Sequence, residues 1–473
     1  MQKIHYYFFI LSLIEIYSLN EKVHRIRFGL YNTKISDKDI INNIFNNIIY
    51  LNLSIGTSAQ IVPFELKSDC QTFCVTKEIY NKNKSSSYEE TSDGEINISY
   101  EIAKKGFTCK DLWNDNSDKK INFILGTTFP SNNQKLGIIG LRIPYEVQPG
   151  VFPFMHSLKS EDLINTFVWT LKFYDNMSLY DQVTYSKDQD NYIGDFIFGD
   201  EPSNYENDSK KYNEKEYYRI NPSPSKEAMA WRFNFSNIYI SLKDGQDISK
   251  IDYEDDRDAE IVIQKSFISG PQYFLYFMEQ HFFQDLYIDG TCSEEDIDFY
   301  TYIECDSSLK LDSFPNITFE HRDFEYSFNL TPEDLFVFDE NRKKYIYLIF
   351  IRDNSMVWEL GTPFLRKFQF VFNEDLKTIG FYKLYDGNNN NKAPEGNEGN
   401  NSNDIWKILL IVFLSLIFAG LLIFVGMFLQ RKVCNQNRKK RANELKDNFE
   451  YISENNDENG LGINSDQKII KDD

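Results

Sequence analysis

The segment from Tyr50 to Leu66 most narrowly limits what this chain can fold into. Tyr50-Leu51-Asn52-Leu53-Ser54-Ile55 alternates between apolar and polar residues, Gly56 and Thr57 follow, and a second apolar run covers Ile61 to Leu66. Alternation puts every second side chain on one face of an extended chain. Glycine supplies the backbone freedom that a tight turn needs. The pattern predicts a β-hairpin. Short β segments between polar turns continue from Ile48 to about Tyr385 with few long helical periods, so the expected class is all-β.

The chain has 473 residues and a formal net charge of -21. That charge repels phosphate, so nucleic acid is excluded as a partner. Residues 1–18 have a basic start, an apolar stretch Tyr6 to Leu11 and a small residue at Ser18, which reads as a signal peptide. Ile408 to Leu429 is uncharged and apolar, long enough at about 1.5 Å per residue to cross roughly 30 Å of hydrocarbon. Trp406 flanks one end, and Arg431, Lys432 and Arg438 to Arg441 flank the other, so the C-terminus is expected on the cytoplasmic side. The expected protein is therefore single-pass and type I. Its ectodomain is lumenal or extracellular, in the secretory or endosomal pathway or at the plasma membrane.

On this reading the chain divides into a signal peptide (1–18), a short N-terminal segment (19–47), a β region (48–385), an Asn/Gly-rich stalk (386–407), a membrane helix (408–429) and a cytoplasmic tail (430–473). The basic-apolar patch Val23 to Phe28 is expected to add a strand to the sheet. Five cysteines, Cys70, Cys74, Cys109, Cys292 and Cys305, would face an oxidising compartment, and Cys434 would lie just inside the membrane. Glycosylation sequons begin at Asn52, Asn83, Asn97, Asn176, Asn207, Asn234, Asn316, Asn329 and Asn400. The five histidines are scattered without a His-x-x-x-His pair, so neither a metal site nor a cofactor is expected.

Ile55 to Gln60 reads IGTSAQ, and Phe73-Cys74-Val75 closes the stretch with apolar residues. These segments resemble the first lobe of pepsin-like aspartic proteases. Further segments match in order. Ile96 to Tyr100 with Gly106 resembles the flap hairpin, Tyr100 standing at the flap tyrosine. Leu136 to Leu141, Asp195 to Asp200, Trp231 to Phe233, Ser266 to Pro271, Leu311 to Ile317 and Trp358 to Leu365 resemble successive strands and turns of the two lobes. The resemblance implies a bilobal β domain, with one lobe over about 48–200 and the other over about 201–385. It also implies a weak internal repeat, with Ile138-Ile139-Gly140 and Glu359-Leu360-Gly361 each running beside its lobe's catalytic loop. A Cys292–Cys305 bridge would match the family's second-lobe disulfide and contribute roughly 3 kcal/mol. Cys109 could pair with Cys70 or with Cys74.

The same alignment puts the family's two Asp-Thr-Gly triplets on Lys67-Ser68-Asp69 and Val262-Ile263-Gln264. Aspartic proteases hold one water between two carboxylates that share a proton. Lysine and valine supply neither carboxylate, while Ser68 keeps a hydroxyl in place of threonine. The resemblance therefore implies a catalytically inactive pseudoprotease that binds peptide or protein in a retained cleft. An active endopeptidase would need displaced carboxylates, Asp69 and Glu260, each two residues from its expected position on the same strand face. An adhesion or scaffold ectodomain is the third reading.

Overall fold

The computed structural model describes residues 22–32, 40–97, 105–113, 118–128, 136–143, 152–184, 192–206, 208, 211–221, 230–241, 247–321, 327–353 and 355–382. The expected hairpin forms. Strands Asn47–Ile55 and Gln60–Lys67 pair antiparallel, with Ile55 opposite Gln60. Leu51, Leu53, Ile55, Val62, Phe64 and Leu66 all turn inward, so alternation in the sequence becomes alternation in burial. Gly56 turns the corner at φ +87°. Its conformation and its space both require glycine, because a Cβ there would stand 2.7 Å from the Ser85 hydroxyl and 2.9 Å from the Asp111 carboxylate. Asp111 is fully buried and accepts hydrogen bonds from Tyr80, Ser85 and Ser87.

Two large sheets carry the fold, one of 14 strands and one of 11, joined by a few short helices. His24–Asn32 lies in the first sheet between Asn47–Ile55 and Tyr192–Phe198, as the basic-apolar patch predicted. The first sheet also recruits Tyr217–Ile220, Phe370–Asn373 and Thr378–Tyr382 from the far end of the domain. The two halves therefore share backbone hydrogen bonds as well as side-chain packing. At that junction Trp169 stacks on Phe372 at 3.9 Å, and Trp231 meets both at 6.0 and 5.1 Å.

One helix has no clear signal in the sequence. Ile40–Asn46 buries Ile40, Ile41 and Ile44 against Phe267, Leu348 and Phe350 of the second sheet. It is too short to show a helical period, and its apolar partners lie hundreds of residues away. Among the described residues no helix is long and apolar enough to cross a membrane. The expected signal peptide, stalk, membrane helix and tail, and Cys434, Tyr100, Asn207 and Asn400, all lie outside the described residues.

On the second lobe, half-buried Glu279 meets Glu294 on the strand Cys292–Ile297. Desolvation first, then the hydrogen bond and charge of Glu294, push the Glu279 carboxyl from its ordinary 4.5 up to about 7. A raised folded-state pKa favours the protonated acid. Its contribution to stability is complete below about pH 4.5 and is lost as pH rises towards about 7. Glu279→Gln is therefore expected to match the wild type in urea midpoint at about pH 4 and to exceed it at about pH 8. Parallel pH profiles would count against this.

Candidate functional site

Both lobes build the same device. In the first, strand Gln60–Lys67 passes through a loop into Phe73–Thr76, and Gly137–Gly140 threads between them, parallel to the first and antiparallel to the second. In the second, Asp247–Ile261 passes through a loop into Ile268–Pro271, and Trp358–Leu360 threads between them in the same two senses. The weak sequence repeat is thus a structural repeat. The threaded strands grip the loops through the backbone. Leu141 donates to the Lys67 carbonyl at 2.8 Å, Gly140 to Thr72 at 2.9 Å and Arg142 to Cys70 at 2.9 Å. In the other lobe Val262 donates to Leu360 at 3.1 Å and Thr362 to Lys265 at 2.8 Å.

The two loops also bond to each other. Ser68 is buried, and its hydroxyl donates to the Ile261 carbonyl at 2.9 Å while accepting from the Ile263 amide at 3.3 Å. The Gln264 side-chain oxygen accepts from the Ser68 amide at 3.4 Å. Ile263 has no polar side-chain atom with which to return the contact. Trp231 adds a second tie by donating to the Leu141 carbonyl at 2.7 Å. Ser68→Ala would strand a buried carbonyl and a buried amide, so a loss of about 2 kcal/mol is expected. Ser68→Thr keeps the hydroxyl and is expected to stay within about 1 kcal/mol of wild type. Urea denaturation distinguishes the two, and equal losses would contradict this role for the hydroxyl.

The alternation that buries Leu66 and Ser68 sends Glu65, Lys67 and Asp69 to the opposite face. Lys67 lies 3.8 Å from the Asp69 carboxylate, which is 46% exposed. Desolvation raises the Glu65 carboxyl pKa, against the opposing pull of the Lys67 charge. Facing Lys67 in the sequence repeat, Val262 is buried and offers no proton acceptor. The displaced pair does not share one environment. Glu260 lies opposite Arg232 on the neighbouring strand and accepts from its guanidinium at 2.8 and 2.6 Å.

Further charges fill the second-lobe side. Lys265 bonds Glu359 and also reaches the Tyr300 hydroxyl at 2.7 Å, and Arg352 bonds Glu359 at 3.0 Å. Arg232, Glu260, Arg352 and Glu359 line a cavity of about 380 Å³ together with Asp353, Ser355, Met356 and Val357. Of this cluster the sequence pointed only to Glu260, as a displaced carboxylate. A local signal was present only at Glu359, which stands between Trp358 and Leu360 in a short apolar strand. Among the described residues no group of His, Cys, Asp and Glu side chains could hold a metal ion.

Other expected positions fall as follows. Cys292 and Cys305 form a disulfide. The base of the Ile96–Gly106 hairpin pairs. Asn83, Asn176 and Asn329 are exposed, Asn52, Asn234 and Asn316 are half-buried, and Asn97 ends a short strand.

Two lobes that each thread a strand through a loop, with the loops bonded across the junction, define a pepsin-like bilobal β protein. The family model of eukaryotic aspartyl proteases matches residues 52–242 and 266–384, and the chain belongs to that family. The interval between the two matched parts contains Val262, Ile263 and Gln264. No curated protein matches the chain.

Proposed function

We propose that this chain is a type I membrane-anchored, catalytically silent member of the family that binds peptide or protein segments without cutting them. One observation carries the reading. The Ser68 bonds to Ile261 and Ile263 hold Lys67 and Val262 at equivalent points of the two threaded loops. A lysine and a valine at these two positions cannot hold and deprotonate a water as a shared-proton carboxylate pair does. The threaded strands and loops around these positions are intact, which supports a retained surface for an extended segment. The engagement of Glu260 by Arg232 weighs against Asp69 and Glu260 as a substitute dyad, since the Glu260 oxygen that would have to hold the water already accepts from the guanidinium.

Glu65, Lys67, Asp69, Arg232, Glu260 and Glu359 give the site both signs of charge, which suits segments bearing charged side chains. The test is retention of an extended-peptide library on the immobilised full-length protein at low and high salt. Salt-sensitive capture that weakens in Lys67→Glu is the expected result. No capture under any condition would overturn binding and leave an adhesion or scaffold role through other surfaces.

A further inference from the structure

Three described cysteines carry free thiols, Cys70, Cys74 and Cys109, and all are buried. They occupy two different environments. Cys109 belongs to the main core, where its sulfur lies 2.9 Å from the Tyr88 hydroxyl and donates to the Phe107 carbonyl at 3.4 Å. Cys70 and Cys74 sit together in a separate small cluster with Ile124 and Ile138. Strand register explains the separation. Cys74 lies between Ile124 on one side and Ile138 on the other. The preceding Phe73 turns into the main core against Phe64 and Phe123. Between the two cysteines the loop is pinned at Thr72 by Gly140, and Arg142 holds the Cys70 carbonyl. The chain therefore returns Cys74 to the side of the sheet that carries Cys70. Charge on one thiol bears directly on the other. Ile96 packs against the same cluster, so it lies under the base of the Ile96–Gly106 hairpin and three residues along from Lys67.

We propose that Cys70 and Cys74 form a reversible disulfide within the site loop, that this bond makes the loop redox-sensitive, and that Cys109 remains the unpaired thiol. The oxidant is a small-molecule or protein disulfide, the class that can also form the Cys292–Cys305 bond. One cysteine, as thiolate, attacks an oxidant sulfur. The oxidant S–S bond breaks, and one thiol leaves after taking up a proton. The second cysteine loses its proton and attacks the mixed disulfide, releasing the second thiol. Two protein S–H bonds are replaced by one S–S bond, and the oxidant disulfide is reduced to two thiols. Burial pushes the Cys70 thiol up to about 12 and the Cys74 thiol higher still, so little thiolate is present near neutral pH. Exchange in the closed fold is slow, and the bond forms while the chain folds or when the loop opens.

Trypsin separates the possibilities cleanly. Cleavage after Lys67 and Lys77 releases Ser68–Lys77, which holds both cysteines and no other, and cleavage after Lys105 and Lys110 releases Gly106–Lys110 with Cys109. Full-length protein is refolded in oxidised glutathione, so that the thiols are open to exchange, then denatured, alkylated and digested. The expected Ser68–Lys77 fragment is unalkylated and lighter by two hydrogens, and it accepts two alkyl groups after reduction. Gly106–Lys110 is expected to be alkylated throughout. A cross-link between the two fragments, or full alkylation of Ser68–Lys77 without reduction, would overturn the pairing. Hydrogen exchange of Ser68 to Phe73 is expected to be slower in oxidised than in reduced protein, and equal rates would overturn the redox sensitivity.

Discussion

Alanine at Gly361 is expected to disrupt the second-lobe loop, and alanine at Gly140 to do the same in the first. A Cβ at Gly361 would stand 2.2 Å from the Phe267 carbonyl oxygen and 2.4 Å from that of Lys265. At Gly140 it would stand 2.5 Å from backbone atoms of Gln71 and Thr72 and 2.6 Å from the Cys70 oxygen. These neighbours are backbone atoms, so no side chain can rotate away. The threaded strand must shift, and its shift pulls on the hydrogen bonds that shape the site. Each substitution is expected to cost about 3 kcal/mol. For a domain of this size that lowers the thermal midpoint by roughly 4 to 5 °C. Gly270 is a graded comparison with a smaller expected loss, because its nearest obstacle is the buried Trp358 ring at 2.9 Å, a side chain rather than backbone and farther away. Thermal unfolding followed by circular dichroism gives the comparison. A loss at Gly270 as large as at Gly361 would contradict the threading argument.

Trp231 carries the other large effect. It is fully buried, packs edge-on against Trp169 and Phe372, and donates to the Leu141 carbonyl at 2.7 Å. Leu141 in turn donates to Lys67, so this one side chain connects the start of the second lobe with the site loop of the first. Trp231→Ala is expected to cost about 4 kcal/mol through the cavity it leaves. Trp231→Phe keeps most of the ring and loses the donor, for about 1 to 2 kcal/mol. Urea midpoints at constant m-value separate packing from hydrogen bonding. Equal losses in the two variants would show that packing contributes little at this junction.

Local features made much of this legible in the sequence. Alternation and a glycine turn announce the Asn47–Lys67 hairpin because strand periodicity is visible within a few residues. The segments Ile138-Ile139-Gly140 and Glu359-Leu360-Gly361, each an apolar residue before a glycine, mark the threaded strands, since only glycine fits where another backbone crosses. The resemblance placed the family's two catalytic positions on Lys67 and Val262. Contacts between distant residues were not legible. Nothing near Ser68 says that its hydroxyl bonds to Ile261 and Ile263, and nothing near Trp231 names Leu141. The charge at Glu359 was visible between Trp358 and Leu360, but the partners Arg232, Arg352 and Tyr300 of Glu260, Glu359 and Lys265 come from other strands. The same holds for the cysteines, whose separation into two environments depends on which face of a strand each one occupies.

Peptide turnover by the purified full-length protein, from about pH 3 to about pH 7 with and without pepstatin, tests the central claim most directly. Aspartic-type hydrolysis depends on a carboxylate pair that shares one proton. With Lys67 and Val262 in place, the expected result is no cleavage above background at any pH, while the peptides remain bound. Turnover abolished by pepstatin and by Asp69→Asn would contradict the account, and would mean that carboxylates outside the two loop positions perform the chemistry.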